Sequence, residues 1–186
     1  MNPVSTVLAP IQNSLLDLHR SATTVQSYEN SIVHGTLQTE NYARAIFEHA
    51  HELYPVSRED IETALQARMA RRDLFDGERK FEMITTTRAL TADVAGTAVL
   101  REQLAYLLEC MERPGLTLGV IPTGTLVGTY WDFTIINSVR VEIDQYEGPR
   151  TVTDPASVGR FRDVFDRLRR TAVYGDDARA LISNLI

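Results

Sequence analysis

The hydrophobic and polar positions of this chain change period several times, and each change marks an element. Val4, Leu8, Ile11, Leu15 and Leu18 recur at alternating steps of four and three. That is the seam of a helix, but a short one, with Pro10 placed to break or kink it. Residues 1–21 therefore read as an N-terminal helix, either docked on its own domain or acting as a dimerisation element. From Ala22 to Val33 the helical period disappears, and Thr23, Thr24, Val25, Tyr28, Ile32 and Val33 predict a strand. Gly35 is expected to turn the chain at positive φ. Thr39 then caps a helix whose apolar face is Tyr42, Ala43, Ile46, Phe47, Ala50, Leu53 and Tyr54. Pro55-Val56 interrupts it. Ser57-Arg58-Glu59-Asp60 resembles a capping box and opens a helix carrying Ile61, Leu65 and Met69, which Asp76-Gly77 ends.

Phe81 to Thr86 reads as a strand. Thr97 is placed to cap a helix with the face Leu100, Leu104, Leu107, Leu108 and Met111, and Pro114-Gly115 stops it. Leu116 to Ile121 is a short apolar strand, followed by a loop through Gly124 and Gly128. Trp131, Phe133 and Ile135 alternate, as do Val139, Val141 and Ile143, with Asn137-Ser138 between them: a hairpin with one buried face. Asp154-Pro155 supplies N-cap and first residue to a helix with the stripe Val158, Phe161, Val164, Phe165, Leu168 and Ala172. A last short helix starts near Asp176. The sum is an α+β domain over residues 22–186, with helices flanking a mostly antiparallel sheet of four to five strands.

Composition narrows the function classes. A chain of 186 residues with 44% hydrophobic residues builds one ordinary core. A net charge of −6 argues against direct nucleic-acid binding, which calls for a basic face. The single cysteine, Cys110, excludes an internal disulfide framework and fits a reducing cytoplasm. No apolar run is long enough for a membrane span, so a cytoplasmic location is expected.

Candidate chemistry is sparse. His49 and His51 fall on different sides of a helix, and one cysteine makes no zinc site, so no metal and no cofactor are expected. The glycine loop lacks the Gly-Lys-Ser/Thr ending of a phosphate loop. No Gly-x-Ser-x-Gly occurs, and Cys110 beside an apolar ridge reads as a buried thiol. Asp132, Glu142 and Asp144 read as a solvated hairpin face. Arg68, Arg71 and Arg72 are the notable charges. Arg68 and Arg72 are four apart and share a face, either solvated or forming a bidentate site for an anion or an acidic partner. Gln38 and Tyr42 flank a helix start, and Tyr130 and Trp131 lie beside the loop that would form the lip of a pocket.

The stretch from Gly35 to Ala45, with Leu37, Gln38, Thr39, Tyr42, Ala43 and Arg44, resembles the "P-G-L-L-Q-T-x-x-Y-A-R-A" signature of a domain in actinobacterial antitoxin-like regulators of the WhiJ-like group. His34 stands for the usual proline and Thr36 for a leucine. Ala67 to Arg72 is similar to that family's "A-R-x-x-R-Q". Leu100 to Leu104 is similar to "M-R-E-Q-L", Leu118 to Pro122 to "V-x-V-L-P", and Phe133 to Ile135 to "F-T-L". Thr87 departs from the acidic residue that usually ends the strand before the "M-R-E-Q-L" helix. In such regulators the domain follows a helix-turn-helix. About 20 residues precede it here, against roughly 60 for a helix-turn-helix, so no DNA-binding domain is expected within this chain.

The resemblance implies a stand-alone regulatory or sensor domain, expected to be a homodimer, that binds a small molecule or a small partner protein. The candidate binding residues are Gln38, Tyr42, Arg68, Arg71, Tyr130 and Trp131. The alternative is a cofactor-independent enzyme of cyclase or isomerase type in a natural-product pathway, with Thr85-Thr86-Thr87 and His34 marking an altered pocket. A third possibility is one domain cut from a longer regulator.

Overall fold

The computed structural model describes residues 8–53, 56–125, 131–145 and 149–186. In chain order the helices are α1 (Leu8–Ser21), α2 (Glu40–Leu53), α3 (Arg58–Ala70), α4 (Thr87–Leu90), α5 (Thr97–Cys110), α6 (Pro155–Thr171) and α7 (Gly175–Ser183). The strands are β1 (Thr24–Glu29), β2 (Lys80–Thr86), β3 (Leu116–Ile121), β4 (Phe133–Ile136), β5 (Arg140–Ile143) and β6 (Arg150–Val152).

The strands form one sheet of six in the order β3-β2-β1-β4-β5-β6. The expectation of a mostly antiparallel sheet of four to five strands is wrong. β1 pairs parallel with β2, and β2 parallel with β3, while the β1–β4, β4–β5 and β5–β6 pairs are antiparallel. The physical reason is connection length. A tight turn returns the chain antiparallel, whereas a helical crossover carries it back to start a parallel neighbour. α2 and α3 separate β1 from β2, and α5 separates β2 from β3. β4 and β5 are joined by a tight three-residue turn, Asn137–Val139, in which Asn137 and Ser138 take φ of 51° and 59°. β6 is short and largely exposed, without the apolar alternation that reveals a strand.

Helices cover both faces of the sheet. One core joins Val25, Phe81, Met83, Leu118, Val120 and Ile136 to Leu16, Tyr42, Leu104, Leu107 and Ile182 from the helices. The opposite core sets Tyr28, Ile84, Phe133, Ile135, Val141 and Ile143 against Val158, Phe165 and Leu168 of α6. Burying each such side chain contributes about 1.5–3 kcal/mol. A third cluster, with Ala9, Ala43, Phe47, Ile61 and Leu65, binds α1, α2 and α3 together.

Pro10 does not break α1, because the helix begins at Leu8 and proline is tolerated in a first turn. The buried face of α1 is Ala9, Gln12, Leu16 and His19, one position on from the seam seen in the sequence. The start of α1 is held from outside: the Asp60 carboxylate accepts from the Leu8 amide at 2.8 Å and the Ala9 amide at 3.1 Å. Asp60 itself lies in the first turn of α3, which Ser57 caps.

Candidate functional site

The signature stretch is pinned from three sides. Its first residues, Gly35–Leu37, form a single 3-10 turn, after which Thr39 caps α2 by accepting from the Tyr42 amide at 3.3 Å. Gln103 of α5 clamps the join, accepting from the Thr39 amide at 2.8 Å and donating to the Leu37 carbonyl at 2.7 Å. Gln38 donates to the Val33 carbonyl at 2.6 Å, which leaves its own carbonyl to accept from Arg68 Nη1 at 2.7 Å.

From there a polar chain runs across the helices. Gln12 Oε1 accepts from Arg68 Nε at 3.1 Å and from Arg71 Nη2 at 2.8 Å. Arg68 also lies 4.2 Å over the Phe47 ring. Gly35 does not take the expected positive φ. Its role is space: a Cβ there would stand 3.0 Å from Arg71 Nη2. The arginine pairing differs from the expected one. Arg68 and Arg71 converge, while Arg72 turns to α5, donating to the Tyr106 hydroxyl at 2.6 Å and stacking on its ring.

Arg68 and Arg71 border a cleft of about 120 Å³ at the carboxyl end of β1, where the parallel half of the sheet meets the antiparallel half. No carboxylate among the described residues lies within 4 Å of either guanidinium, in contrast to Arg44, Arg79, Arg140, Arg169 and Arg179. Arg71 is 3% exposed, and its buried Nε has no hydrogen-bond partner. Burial draws the Arg68 guanidinium down to about 9 and that of Arg71 to about 10, so both remain cations at neutral pH.

Opposite them the sheet presents acids. Continuing the β1–β4 and β4–β5 registers by one residue sets Glu29 beside Asp132 and Asp132 beside Asp144. These positions share the face of Thr134 and Glu142. Glu142 is buried and paired to Arg140 at 2.5 Å, so the solvated hairpin face expected from the sequence is in part the inner wall of this cleft. Burial, then Asp144 and Asp132, push the Glu29 carboxyl well above the usual carboxylate range.

Two histidines complete the lining. His34 Nδ1 accepts from the Thr36 amide at 3.1 Å, so the neutral ring carries its proton on Nε2, 3.9 Å from Glu29 Oε1. Burial, then His19, Arg71 and Arg68, hold His34 far below its ordinary value. Burial and Arg71 lower His19 to about 3, and its Nδ1 is buried without a partner.

Of the residues singled out in the sequence, Gln38, Arg68 and Arg71 meet at this cleft. Tyr42 does not: it is fully buried in the main core. Trp131 is 57% exposed and does not border the cleft, and Tyr130 lies outside the described residues. Gln12, His19 and Glu29 were not legible as site residues. The only signal was polarity inside apolar runs, as with Gln12 and His19 beside the α1 seam. Two of the three threonines serve structure elsewhere, while Thr85 pairs in register with Glu29 across β1 and β2. Thr86 caps α4 through the Ala89 amide at 3.1 Å, and Thr87 donates to the Ile121 carbonyl at 3.2 Å.

A wider depression of about 540 Å³ lies over the other end of β1, β2 and β3. Its acid, Glu82, is already taken by both arms of Arg169, each at 2.6 Å. Among the described residues no three His, Cys, Asp or Glu side chains are grouped to hold a metal ion. None of their helices is long and apolar enough to cross a membrane.

The structure is a mixed six-stranded sheet layered between helices, with a cleft at the boundary of its two halves whose two arginines have no carboxylate partner among the described residues. The profile of DUF5753, a domain of unknown function, matches residues 12–184, and the chain belongs to that family. No curated protein matches the chain. Among solved structures it is similar to NucT from Helicobacter pylori, with 13% identity and a TM-score of 0.47 over 90% of this chain and 92% of that one. It is also similar to Nuc, a phospholipase D family member from Salmonella typhimurium, with 12% identity and a TM-score of 0.45 over 87% and 88%. TrmBL2, an archaeal chromatin protein, gives 11% identity and a TM-score of 0.45 over 90% of this chain and 51% of that one. These likenesses are too weak to bear on function.

Proposed function

We propose that this chain is a ligand-sensing regulatory domain, and that Arg68 and Arg71 receive an anionic group of a small molecule. One observation carries the reading. Two neighbouring guanidiniums are walled in by neutral carbonyls, with no carboxylate among the described residues in ion-pairing range. A buried cation without a counter-ion is costly, and an arriving carboxylate or phosphate relieves that cost through forked hydrogen bonds. The cleft is concave and of about 120 Å³, room for the charged end of a small molecule. The resemblance of Gly35–Ala45 and Ala67–Arg72 to the antitoxin-like regulators supports the regulatory half of the reading.

Native mass spectrometry of gently purified protein tests it. Wild type should carry a small-molecule mass, and Arg71→Gln should lose it while Arg72→Gln, outside the cleft, keeps it. The same adduct on Arg71→Gln overturns the arginine site.

A second reading, a cofactor-independent enzyme, has one observation in its favour. His34 Nε2 and Glu29 Oε1 face each other at 3.9 Å in the same cleft, with protonation preferences pushed in opposite directions. A product mass that changes on incubation with the co-purified compound, and stops changing in His34→Gln, would select it.

A further inference from the structure

We infer that the ligand of this cleft is a zwitterion, an amino acid or a molecule with amino-acid-like ends, held with its anion on Arg68 and Arg71 and its ammonium on Glu29 and Asp144. The inference rests on the arginine site proposed above and adds the opposite wall. The cleft is bordered by both signs of charge. Arg68 in the last turn of α3 and Arg71, the residue that caps it, contribute the two guanidiniums, and the ends of β1 and β5 contribute Glu29 and Asp144. The two walls do not neutralise each other by contact: no ion pair joins Arg68 or Arg71 to an acid among the described residues. They are nonetheless close enough for Glu29 and Asp144 to act electrostatically on both arginines. Opposite charges held apart across a space match a molecule carrying the complementary pair.

Two further observations point into that space. Arg71 and His19, each at least nine-tenths buried, border the cleft, and Arg71 Nε and His19 Nδ1 have no hydrogen-bond partner among the described residues. On the acidic side, Glu29, Asp132 and Asp144 are three adjacent positions across β1, β4 and the end of β5, and no lysine or arginine among the described residues is in ion-pairing range of Glu29. That crowding is part of what favours its proton. An ammonium placed there offsets the repulsion among the three acids and favours the ionised form of Glu29. Size agrees. A cavity near 150 Å³ accepts a ring of about six heavy atoms, so about 120 Å³ holds the backbone end of an amino acid and leaves its side chain at the open mouth. Asp144 is exposed at that mouth.

Calorimetric titration with matched probes tests the inference. The panel holds the twenty α-amino acids, β-alanine and 4-aminobutyrate, each beside the carboxylic acid lacking its amine, with inorganic phosphate as a bare anion. The expected result is an amino acid that binds wild type at least tenfold more tightly than its deaminated acid. Glu29→Gln should bring the amino acid down to the affinity of the acid, and Arg71→Gln should abolish both. Should Glu29→Gln fail to fold, Asp144→Asn at the rim should still weaken the amino acid and spare the acid. Deaminated acids or phosphate that bind as tightly as the amino acids, in an Arg71-dependent way, overturn the zwitterion and leave the anion site standing. Absence of any Arg71-dependent binding across the panel overturns both.

Discussion

Nη2 of Arg71 lies 3.0 Å from the point that a Cβ on Gly35 would occupy. The glycine at the head of the signature therefore makes room for a guanidinium, not for a left-handed turn. Gly35→Ala should push the Arg71 guanidinium aside slightly, while Arg68, whose Cζ would stand 3.5 Å away, stays at ordinary contact distance. The displaced atoms are the end of one flexible side chain, so the stability cost should be about 1 kcal/mol, the low end for overpacking. Denaturant unfolding and the titration above check this together: a small loss of stability with a loss of binding is expected.

Acid should weaken the fold through His19. Its folded value is lowered to about 3 by burial and by Arg71, against an ordinary 6.5. Neutral His19 is therefore preferred in the fold, and its contribution is full above about pH 6.5 and lost as pH falls toward 3. Between those limits the unfolded chain binds the extra proton, so stability falls by about 1.4 kcal/mol per pH unit for this one group. His34, lowered by burial first, acts in the same direction, while Glu29, raised, opposes both. Urea unfolding at pH 7 and pH 5 should show a weaker fold at pH 5, and His19→Gln should reduce the difference.

Asp60→Ala should free the first turn of α1. Two backbone amides lose their acceptor, at a cost of about 1–2 kcal/mol for a cap of this kind. Hydrogen exchange should accelerate at Leu8 and Ala9 more than at the centre of the sheet.

Gly119→Ala should be the more damaging glycine substitution. Its Cβ would fall 2.6 Å from Tyr174 Cε1 and 2.8 Å from Cζ. A ring moves as a unit, so about 1–3 kcal/mol is expected. Tyr174→Ser should recover part of that loss in the double variant, measured by the shift of the unfolding midpoint.

What the sequence revealed was mostly local. The Asp154-Pro155 start of α6 is visible because capping chemistry sits in adjacent residues, and the Asp154 carboxylate does accept from the Ser157 amide at 2.8 Å. The Asn137-Ser138 turn is visible for the same reason. The direction of β1 against β2 is not, since Tyr28 meets Ile84 across two intervening helices and nothing in either strand encodes its partner. The cleft divides likewise. Gln38, Arg68 and Arg71 stood out through motif and charge. Gln12 and His19 were hidden because they replace apolar residues on a face read one position out of phase, and Glu29 because a strand-end acid looks like any solvent-facing one.

α3 holds the start of α1 at Asp60 and carries the cleft cations at its other end, Arg68 in its last turn and Arg71 as its cap. Eight residues of helix separate Asp60 from Arg68, about 12 Å of rigid rod. A tilt of that rod when an anion draws the arginines inward would shift the anchored first turn of α1 as well. Occupancy of the cleft would thus be converted into movement at the place where the chain enters the domain.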